Sequence, residues 1–272
     1  MKIVFFDIDG TLYDREDPRK IPQSALDAIR RIQADGNIVI ICTGRCMSCI
    51  EPYIRQIGFD GYIAGCGTHI IYRGRELWYQ TLEAETVREL DFLCKQARLM
   101  PVFEGSRYLY ADERDCTGDN LRFYHFYKAF YKGKLKPIDY RADDICKLTV
   151  RVEADFEGTD AKEQKKAAVR HVAGKAELLG MTVLDKGASL EIFPRENGKG
   201  EGIRRFLTLT GLSGTTYAFG DSINDLDMMQ QVDYSVALGH AHPRLLSICS
   251  CQTDDLYDDG IYKACKKLNL IS

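Results

Sequence analysis

The stretch Lys2-Ile-Val-Phe-Phe-Asp7-Ile-Asp9-Gly-Thr-Leu-Tyr13 decides the fold of this 272-residue chain. Its four apolar residues, Ile3 to Phe6, are too few for a membrane span and suit a strand that is buried on both faces. Two acids follow, and Gly10 predicts that the strand ends and the chain turns there. Open α/β sheets bind their ligands at the carboxyl ends of the strands. The opening therefore predicts a buried strand that carries Asp7 and Asp9 to a ligand site.

Two carboxylates this close at the end of a buried strand are destabilising unless a cation or a proton offsets their charge. A divalent metal is the simplest candidate. A site made only of oxygen ligands favours magnesium, which typically binds one or two carboxylates, several waters and a substrate phosphate. A lone Asp-x-Asp is more often a solvated strand end, so the metal interpretation depends on the rest of the chain.

The composition is that of an ordinary globular protein with one large or two ordinary domains. The chain is 45% apolar and 28% charged, and its net charge of −3 gives no general attraction to nucleic acid or an anionic membrane. No apolar run reaches transmembrane length, and no cleavable signal is visible. The ten cysteines are therefore expected to be reduced thiols in the cytoplasm.

The opening pattern recurs along the chain. Asn37 to Cys42 is a second doubly buried strand, and Thr216 to Gly220 is a third that ends at Asp221. Single apolar runs that alternate with helices are typical of a parallel sheet with right-handed crossovers. We therefore predict an α/β fold with a Rossmann-like parallel sheet. All carboxyl ends of such a sheet lie on one edge, so residues far apart in the sequence can share one crevice.

The pattern changes from Leu82 to Leu190, where helical runs such as Ala161 to Leu179 alternate with strand-like runs, and none of these ends in clustered acids. We predict that residues 82–190 are an α+β domain inserted into a core of residues 1–81 and 191–272. Within the core, a helix is expected from Met47 to Ile57, and Ser189 to Phe193 marks the return of the core strands.

The predicted strand ends and one helix start supply a coherent set of side chains. They offer acids for a metal, a hydroxyl and backbone amides for phosphate oxygens, a lysine for phosphate charge, and a carboxylate that is free to attack. Each member alone is weak evidence, and the set together is strong. The set is Asp7, Asp9, Thr43, Gly44, Arg45, Lys199, Asp221, Asn224 and Asp225.

These residues resemble, in order along the whole chain, the motifs of the haloacid dehalogenase (HAD) superfamily of aspartate-nucleophile phosphatases. The matching stretches are Asp7-Ile-Asp-Gly-Thr-Leu, Cys-Thr43-Gly-Arg, Lys199 and Gly-Asp221-Ser-Ile-Asn-Asp225. The insert between the second and third motifs resembles the C2-type cap of that superfamily, and Asp-Asp-Gly-Ile near Gly260 resembles the end of its Cof-like subgroup.

The resemblance implies a magnesium-dependent phosphatase. Asp7 would attack the substrate phosphorus and become an aspartyl phosphate, while Asp9 would protonate the leaving alcohol and then deprotonate the hydrolytic water. Magnesium would be held by Asp7, the backbone carbonyl of Asp9 and Asp221, with Asp225 behind them. The phosphate would be bound by Thr43, Gly44, Arg45, Lys199 and Asn224.

The resemblance implies a small phosphorylated metabolite as substrate, such as a sugar phosphate, a nucleotide or a cofactor phosphate. A phosphosugar mutase or phosphotransferase on the same core is the alternative. The insert would select the substrate, and Arg122 to Arg141, with six basic and seven aromatic residues, best suits an anionic, ring-bearing molecule. Tyr127 and Lys132 are expected at its surface. A nucleic-acid surface is the less favoured interpretation of this stretch.

Two positions depart from the pattern of the subgroup. Cys66 and His240 each stand where an Asn is usual, the second of them directly after Leu-Gly. Neither has a catalytic role in this interpretation, so they bear on substrate contacts or on loop packing.

Two other metal sites are conceivable from the sequence. Cys42, Cys46 and Cys49 have the spacing of the iron-sulfur ligands of radical S-adenosylmethionine enzymes, but that hypothesis leaves the acids unexplained. His240-x-His242 with Cys249-x-Cys251 could bind a transition metal, although Pro243 favours a helix start with buried thiols.

Overall fold

The computed structural model describes residues 1–14, 21–96, 99–116, 118–151, 172, 179–184 and 189–272. These residues form two compact units. The first comprises Met1–Gly44, Glu51–Tyr79 and Asn197–Ser272, and the second comprises Arg45–Ile50 and Gln80–Glu196. The helix expected over Ala161 to Leu179 lies outside the described residues, apart from Val172 and Leu179.

The strands of both units are numbered in chain order. They are β1 (Lys2–Phe6), β2 (Ile38–Cys42), β3 (Gly61–Ala64), β4 (His69–Tyr72), β5 (Arg75–Tyr79), β6 (Met100–Gly105), β7 (Leu109–Tyr110), β8 (Leu135–Lys136), β9 (Ile145–Arg151), β10 (Leu179–Leu184), β11 (Ser189–Pro194), β12 (Thr215–Gly220), β13 (Tyr234–Ala237) and β14 (Cys251–Gln252).

The described helices are short to medium in length. Those of the first unit are Gln23–Ala34, Pro52–Arg55, Lys199–Thr210, Leu226–Gln230, Pro243–Leu246 and Gly260–Lys267, and those of the second are Ala84–Gln96 and Asp119–Phe130. Single 3-10 turns occur at Met47–Cys49, Glu113–Asp115, Ile223–Asp225 and Leu256–Asp258. No helix in the described part of the chain is long and apolar enough to cross a membrane.

The helix expected from Met47 to Ile57 is wrong. The chain instead makes one 3-10 turn at Met47–Cys49 and a separate helix at Pro52–Arg55. Between them Ile50 and Glu51 are extended, with ψ angles of 114° and 149°. Pro52 is the physical reason, because its ring disfavours helical backbone at the preceding residue and it has no N–H to donate.

The first unit is built on one sheet, in the order β14-β13-β12-β1-β2-β3-β4-β5. The pairs from β14 to β3 are parallel, and β4 and β5 add an antiparallel hairpin at one edge. This arrangement confirms the predicted α/β fold with a Rossmann-like parallel sheet.

The helix Lys199–Thr210 covers one face of this sheet. Phe206 meets Phe5 of β1 edge to face, with ring centroids 6.0 Å apart, and Ile203 packs in the same buried cluster with Ile40 and Ile63. Full burial of an Ile or Phe side chain is worth roughly 1.5–3 kcal/mol relative to exposure. This packing fixes the start of the helix, where Lys199 lies, against the sheet.

The second unit has its own sheet, in the order β10-β11-β9-β6-β7-β8, and among its described strand pairs only the short pair β7–β8 is parallel. The helix Ala84–Gln96 packs its buried Leu90 against Phe103 of β6 and Leu148 of β9. The segment Arg45–Ile50 also belongs to this unit, where the hydroxyl of Ser48 donates to the carbonyl of Gly105 at 2.7 Å.

Strand β11 belongs to the second sheet, although the sequence placed its residues at the return of the core strands. It pairs antiparallel with β9 and β10, and the chain re-enters the first unit at Asn197. The buried side chain of Glu191 on β11 forms an ion pair with Lys147 on β9. A buried carboxylate needs such a partner, and β9 provides it.

Candidate active site

The ends of three neighbouring strands bring the predicted acids together. Strand β1 lies between β12 and β2, with Phe6 opposite Phe219 on one side and Ile41 on the other. The next residue along β1 is Asp7, whose N–H donates to the carbonyl of Phe219 at 3.1 Å. The parallel sheet thus places Asp7 beside the end of β12, as the sequence predicts.

Asp7, Asp221 and Asp225 form one carboxylate group. Each contributes an oxygen, and these oxygens lie within 4.8 Å of one another. Asp7 is 3% exposed, and Asp225 has no exposed surface. Within the described ranges this is the only group of three or more His, Cys, Asp or Glu side chains that could hold an ion. Such an oxygen-rich group suits a hard divalent cation.

Lys199 lies inside this group. Its ammonium Nζ is 2.7 Å from Oδ1 of Asp7 and 2.6 Å from Oδ1 of Asp225, and the residue is 2% exposed. Burial alone lowers the pKa of Lys199, but the two carboxylates raise it well above its ordinary value. Lys199 is therefore a fixed positive charge between two acids.

Asp225 has partners on both of its carboxylate oxygens. Oδ1 accepts from Lys199, and Oδ2 accepts from the backbone N–H groups of Asp221 and Ser222 at 3.1 and 3.0 Å. These bonds hold the turn that follows β12 in one conformation. Asp225 therefore fixes both the ammonium of Lys199 and the backbone of this turn.

Two residues of the opening loop approach Asp221. The hydroxyl of Thr11 donates to Oδ1 of Asp221 at 2.9 Å. Gly10 has a φ of +79°, and a Cβ there would lie 2.3 Å from Oδ2 of Asp221. A left-handed backbone at such close approach requires glycine. No role is predicted for Thr11 from the sequence, although its place in the turn directly after the acids is a signal for one.

The acids in this group perturb one another. Burial raises the pKa of Asp7 well above its ordinary value; Lys199 opposes the shift, and Asp225, Asp221 and Asp9 add to it. Burial, followed by the charge of Asp225, raises the pKa of Asp221 to about 7. Clusters of strongly perturbed acids are typical of functional sites.

Thr43 and Gly44 follow β2 and lie in the first unit beside the loop at Cys66. The N–H of Thr43 donates to the carbonyl of Ile63 at 2.9 Å, and its own carbonyl accepts from Cys66 at 3.2 Å. Cys66 has a φ of +57°, and its carbonyl accepts from Gly198 at 2.8 Å, directly before Lys199. The Cys66 loop thus links the end of β2 to the start of the Lys199 helix.

The remaining predicted residues have different surroundings. Asp9 is exposed, and its carboxylate is not part of the group of three. The family resemblance implies its backbone carbonyl, rather than its carboxylate, as a metal ligand. Asn224 is half-buried and accepts from the hydroxyl of Ser222. Arg45 is buried in the second unit, where it donates to the carbonyl of Cys49 at 3.3 Å.

The three cysteines with iron-sulfur spacing do not share one environment. Cys42 lies in the first unit with its thiol 3.6 Å from the carbonyl of Lys199, whereas Cys46 and Cys49 lie in the second. Burial raises the pKa of each thiol above its ordinary value. Cluster ligands must be thiolates, so these surroundings disfavour that hypothesis.

The His-x-His and Cys-x-Cys pairs have local structural partners. Nδ1 of His242 accepts from the N–H of Arg244 at 3.2 Å and caps the helix Pro243–Leu246, which confirms the predicted helix start. Cys249 and Cys251 are half-buried rather than buried.

The basic and aromatic stretch lies in the second unit. Lys132 is exposed, but Tyr127 is half-buried, so its expected exposure is wrong. Its exposed phenylalanine rings are Phe126 and Phe130, which stack with centroids 5.6 Å apart.

The chain is similar over nearly its whole length to known hydrolases and phosphatases. Residues 4–265 match the family model of haloacid dehalogenase-like hydrolases. The Bacillus subtilis (strain 168) protein YkrA, which is named as a phosphatase, is 27% identical over 99% of this chain and 98% of its own length. The HMP-PP phosphatase of Serratia proteamaculans (strain 568) is 26% identical over 91% of this chain and 87% of its own.

A solved structure shows the same fold. BT1666 from Bacteroides thetaiotaomicron, a phosphatase of the haloalkanoate (HAD) enzyme superfamily, superposes with a TM-score of 0.82 at 22% identity, covering 100% of this chain and 96% of that one.

Proposed function

The chain belongs to the haloacid dehalogenase-like hydrolase family, and from that premise we propose that it is a phosphatase that hydrolyses a small phosphorylated metabolite through a covalent phosphate on Asp7. The observation that supports this most directly is the buried carboxylate of Asp7, which lies 2.7 Å from the ammonium of Lys199. A nucleophile fixed in this way is aligned before the substrate arrives, and alignment is a large part of catalysis in phosphoryl transfer.

Asp7 and Asp9 divide the chemistry between them. Asp7 is buried at the end of β1, which suits a positioned nucleophile, whereas Asp9 is exposed on the turn beyond it. In this proposal Asp9 donates a proton to the leaving alcohol and then takes one from the attacking water. Two carboxylates in different environments can have such different roles.

A divalent cation fits the site, and we assign it as magnesium. The carboxylates of Asp7, Asp221 and Asp225 outnumber the single ammonium of Lys199, so the ionised group is negative before any phosphate enters. Asp7 and Asp221 would be the side-chain ligands, with the carbonyl of Asp9. The ion, when bound, would offset the charge of these acids and of the substrate phosphate.

The remaining roles concern the substrate. Thr43, Gly44, Arg45, Lys199 and Asn224 would bind the phosphate. The second unit would act as a C2-type cap that selects the molecule to which the phosphate is attached, with the exposed rings of Phe126 and Phe130 as candidates for contact. A sugar phosphate, a nucleotide or a cofactor phosphate is the proposed class of substrate.

The test is phosphate release from a panel of phosphomonoesters in magnesium buffer. Asp7→Asn should lower turnover by about a thousandfold or more, because a unique nucleophile is lost. Asp35→Asn, which alters an exposed acid after the helix Gln23–Ala34, is the matched control and should be fully active. Mass spectrometry after acid quenching should find a phosphate on the wild-type and Asp35→Asn chains and none on Asp7→Asn. If Asp7→Asn kept more than about a hundredth of the activity, the covalent route would be excluded.

A further inference from the structure

Two cysteines of the second unit are in contact, although they are 100 residues apart in the sequence. The Sγ atoms of Cys46 and Cys146 are 3.3 Å apart, both are free thiols, and both residues are 1% exposed. Cys46 belongs to the segment Arg45–Ile50, and Cys146 lies on β9. Neither thiol has a role in the proposed reaction.

The backbone of β9 is irregular at Cys146. The residues on either side of it in β9 pair with the consecutive β6 residues Glu104 and Gly105, which leaves Cys146 as an extra residue in the ladder. Such a bulge interrupts the ladder and redirects the side chain of the extra residue. In this strand the redirected side chain is the one that contacts Cys46.

A disulfide requires only a short approach of the two sulfurs. An S–S bond is about 2.05 Å long, so the gap of 3.3 Å would close by about 1.2 Å. Strand β9 is held in two ladders, by β6 on one edge and β11 on the other. Cys46 instead precedes a single 3-10 turn, which the N–H of Cys49 closes by donating to the carbonyl of Cys46 at 2.8 Å. Closing the gap should therefore move Cys46 rather than β9.

We propose that Cys46 and Cys146 are a redox pair whose disulfide displaces the segment Arg45–Ile50 and thereby lowers activity. The link to activity rests on the proposed function, in which Arg45 helps to bind the phosphate. Arg45 directly precedes Cys46 and donates to the carbonyl of Cys49 within the same segment at 3.3 Å. A misplacement of about 1 Å in a group that positions substrate can lower the rate by about a hundredfold.

The oxidant in this proposal is hydrogen peroxide. One sulfur attacks a peroxide oxygen as the thiolate, the O–O bond breaks, and a sulfenic acid and one water form. The other sulfur then attacks the sulfenic sulfur, so that the S–S bond forms and a second water leaves. Two thiols thus lose two electrons and two protons to one peroxide. Burial raises the pKa of Cys46, which makes the thiolate scarce and the first step slow. A dithiol reverses the reaction by exchange.

The experiment compares the reduced and the oxidised full chain. After incubation with hydrogen peroxide and alkylation of the remaining thiols, peptide mapping without reductant should find the Cys46 peptide joined to the Cys146 peptide. Amide hydrogen exchange should become faster in the turn Met47–Cys49, because the movement of Cys46 disturbs the bond that closes it. The kcat/KM for p-nitrophenyl phosphate should fall by about tenfold or more, and dithiothreitol should restore it.

Two variants separate this disulfide from general oxidation. Cys146→Ala should match the reduced wild type in kcat/KM and keep that value after peroxide. Cys94→Ala, at another buried cysteine of the second unit, is the matched control and should respond to peroxide as the wild type does. Circular dichroism verifies that each variant is folded, and the peptide map of the wild type depends on neither variant.

Absence of the joined peptides would overturn the proposal. A joined pair with unchanged hydrogen exchange, or with unchanged kcat/KM in an active enzyme, would overturn it as well. Mapping and hydrogen exchange use no substrate, so they are independent of the phosphatase assay. Joined peptides with faster exchange in a chain that hydrolyses no phosphomonoester would support the redox pair and refute the proposed function, whereas an active phosphatase without joined peptides would refute the redox pair alone.

Discussion

Replacing Lys199 by methionine should strongly destabilise the first unit, even though it replaces a charged side chain with an apolar one of similar length. Nζ of Lys199 lies within 2.7 Å of both Asp7 and Asp225, and all three residues are buried. Removing one partner of a buried ion pair leaves an uncompensated charge and typically costs about 3–5 kcal/mol. We expect a loss of that size in the free energy of unfolding when a chelator removes any divalent cation.

Asp7→Asn should change the free energy of unfolding in the opposite direction in the same buffer. Burial and the neighbouring acids raise the pKa of Asp7, so the ionised carboxylate is less favourable in the folded chain than in the unfolded chain. A neutral amide removes that repulsion, while Lys199 keeps Asp225 as a partner. The variant should therefore be as stable as the wild type or more stable.

Urea unfolding followed by tryptophan fluorescence tests both expectations. The only tryptophan of the chain is Trp78 on β5, so the signal reports the first unit. Lys263→Met is the matched control. Lys263 pairs with Asp254 at the exposed surface, so its replacement should change the free energy of unfolding little. Equal losses in Lys199→Met and Lys263→Met, or a loss in Asp7→Asn as large as that in Lys199→Met, would refute the reasoning.

Three further outcomes are expected. Gly10→Ala should abolish activity, since its methyl would lie 2.3 Å from a carboxylate oxygen of Asp221. Gly36→Ala is the control and should stay active, because Gly36 has a similar φ of +75° but no atom lies within 4 Å of its added Cβ. EDTA should abolish activity and magnesium should restore it. Calcium, which has longer metal–oxygen bonds and a larger coordination shell, should inhibit. Full activity in EDTA would contradict the metal assignment. The double variant Phe126→Ala with Lys132→Ala should raise KM for the preferred large ester but not for acetyl phosphate. The control Phe92→Ala, at another exposed ring of the second unit, should leave both KM values unchanged. An equal loss of activity on both esters in the double variant would exclude a specificity role.

The sequence was sufficient to predict the core sheet and the acids at its strand ends. Continuous apolar runs such as Ile3 to Phe6 are typical of strands buried on both faces, and those strands are mostly parallel. Parallel strands end on one edge, so the residue after each run was a candidate for the site. Asp7 and Asp221 were found in this way without any structural information.

Features that depend on tertiary contacts were not predictable in the same way. The segment Arg45–Ile50 belongs to the second unit because of contacts such as that of Ser48 with Gly105, which no local pattern encodes. The sequence did contain local signals against two wrong predictions, the core strand at Ser189 to Phe193 and the helix across Pro52. Strand β11 carries Glu191 between apolar residues, an alternation unlike the continuous runs of the core, and a proline rarely lies inside a helix.

The position of Lys199 bears on whether the side chains of the site can balance its charge by themselves. From the sequence, this lysine is a candidate to bind phosphate; in the structure its ammonium lies against the carboxylates of Asp7 and Asp225. Both statements are compatible if the ammonium offsets the acids in the free protein and is shared with a phosphate oxygen when substrate binds. One ammonium cannot offset three carboxylates and a phosphate dianion together. That imbalance is the physical reason to expect a divalent cation at this site.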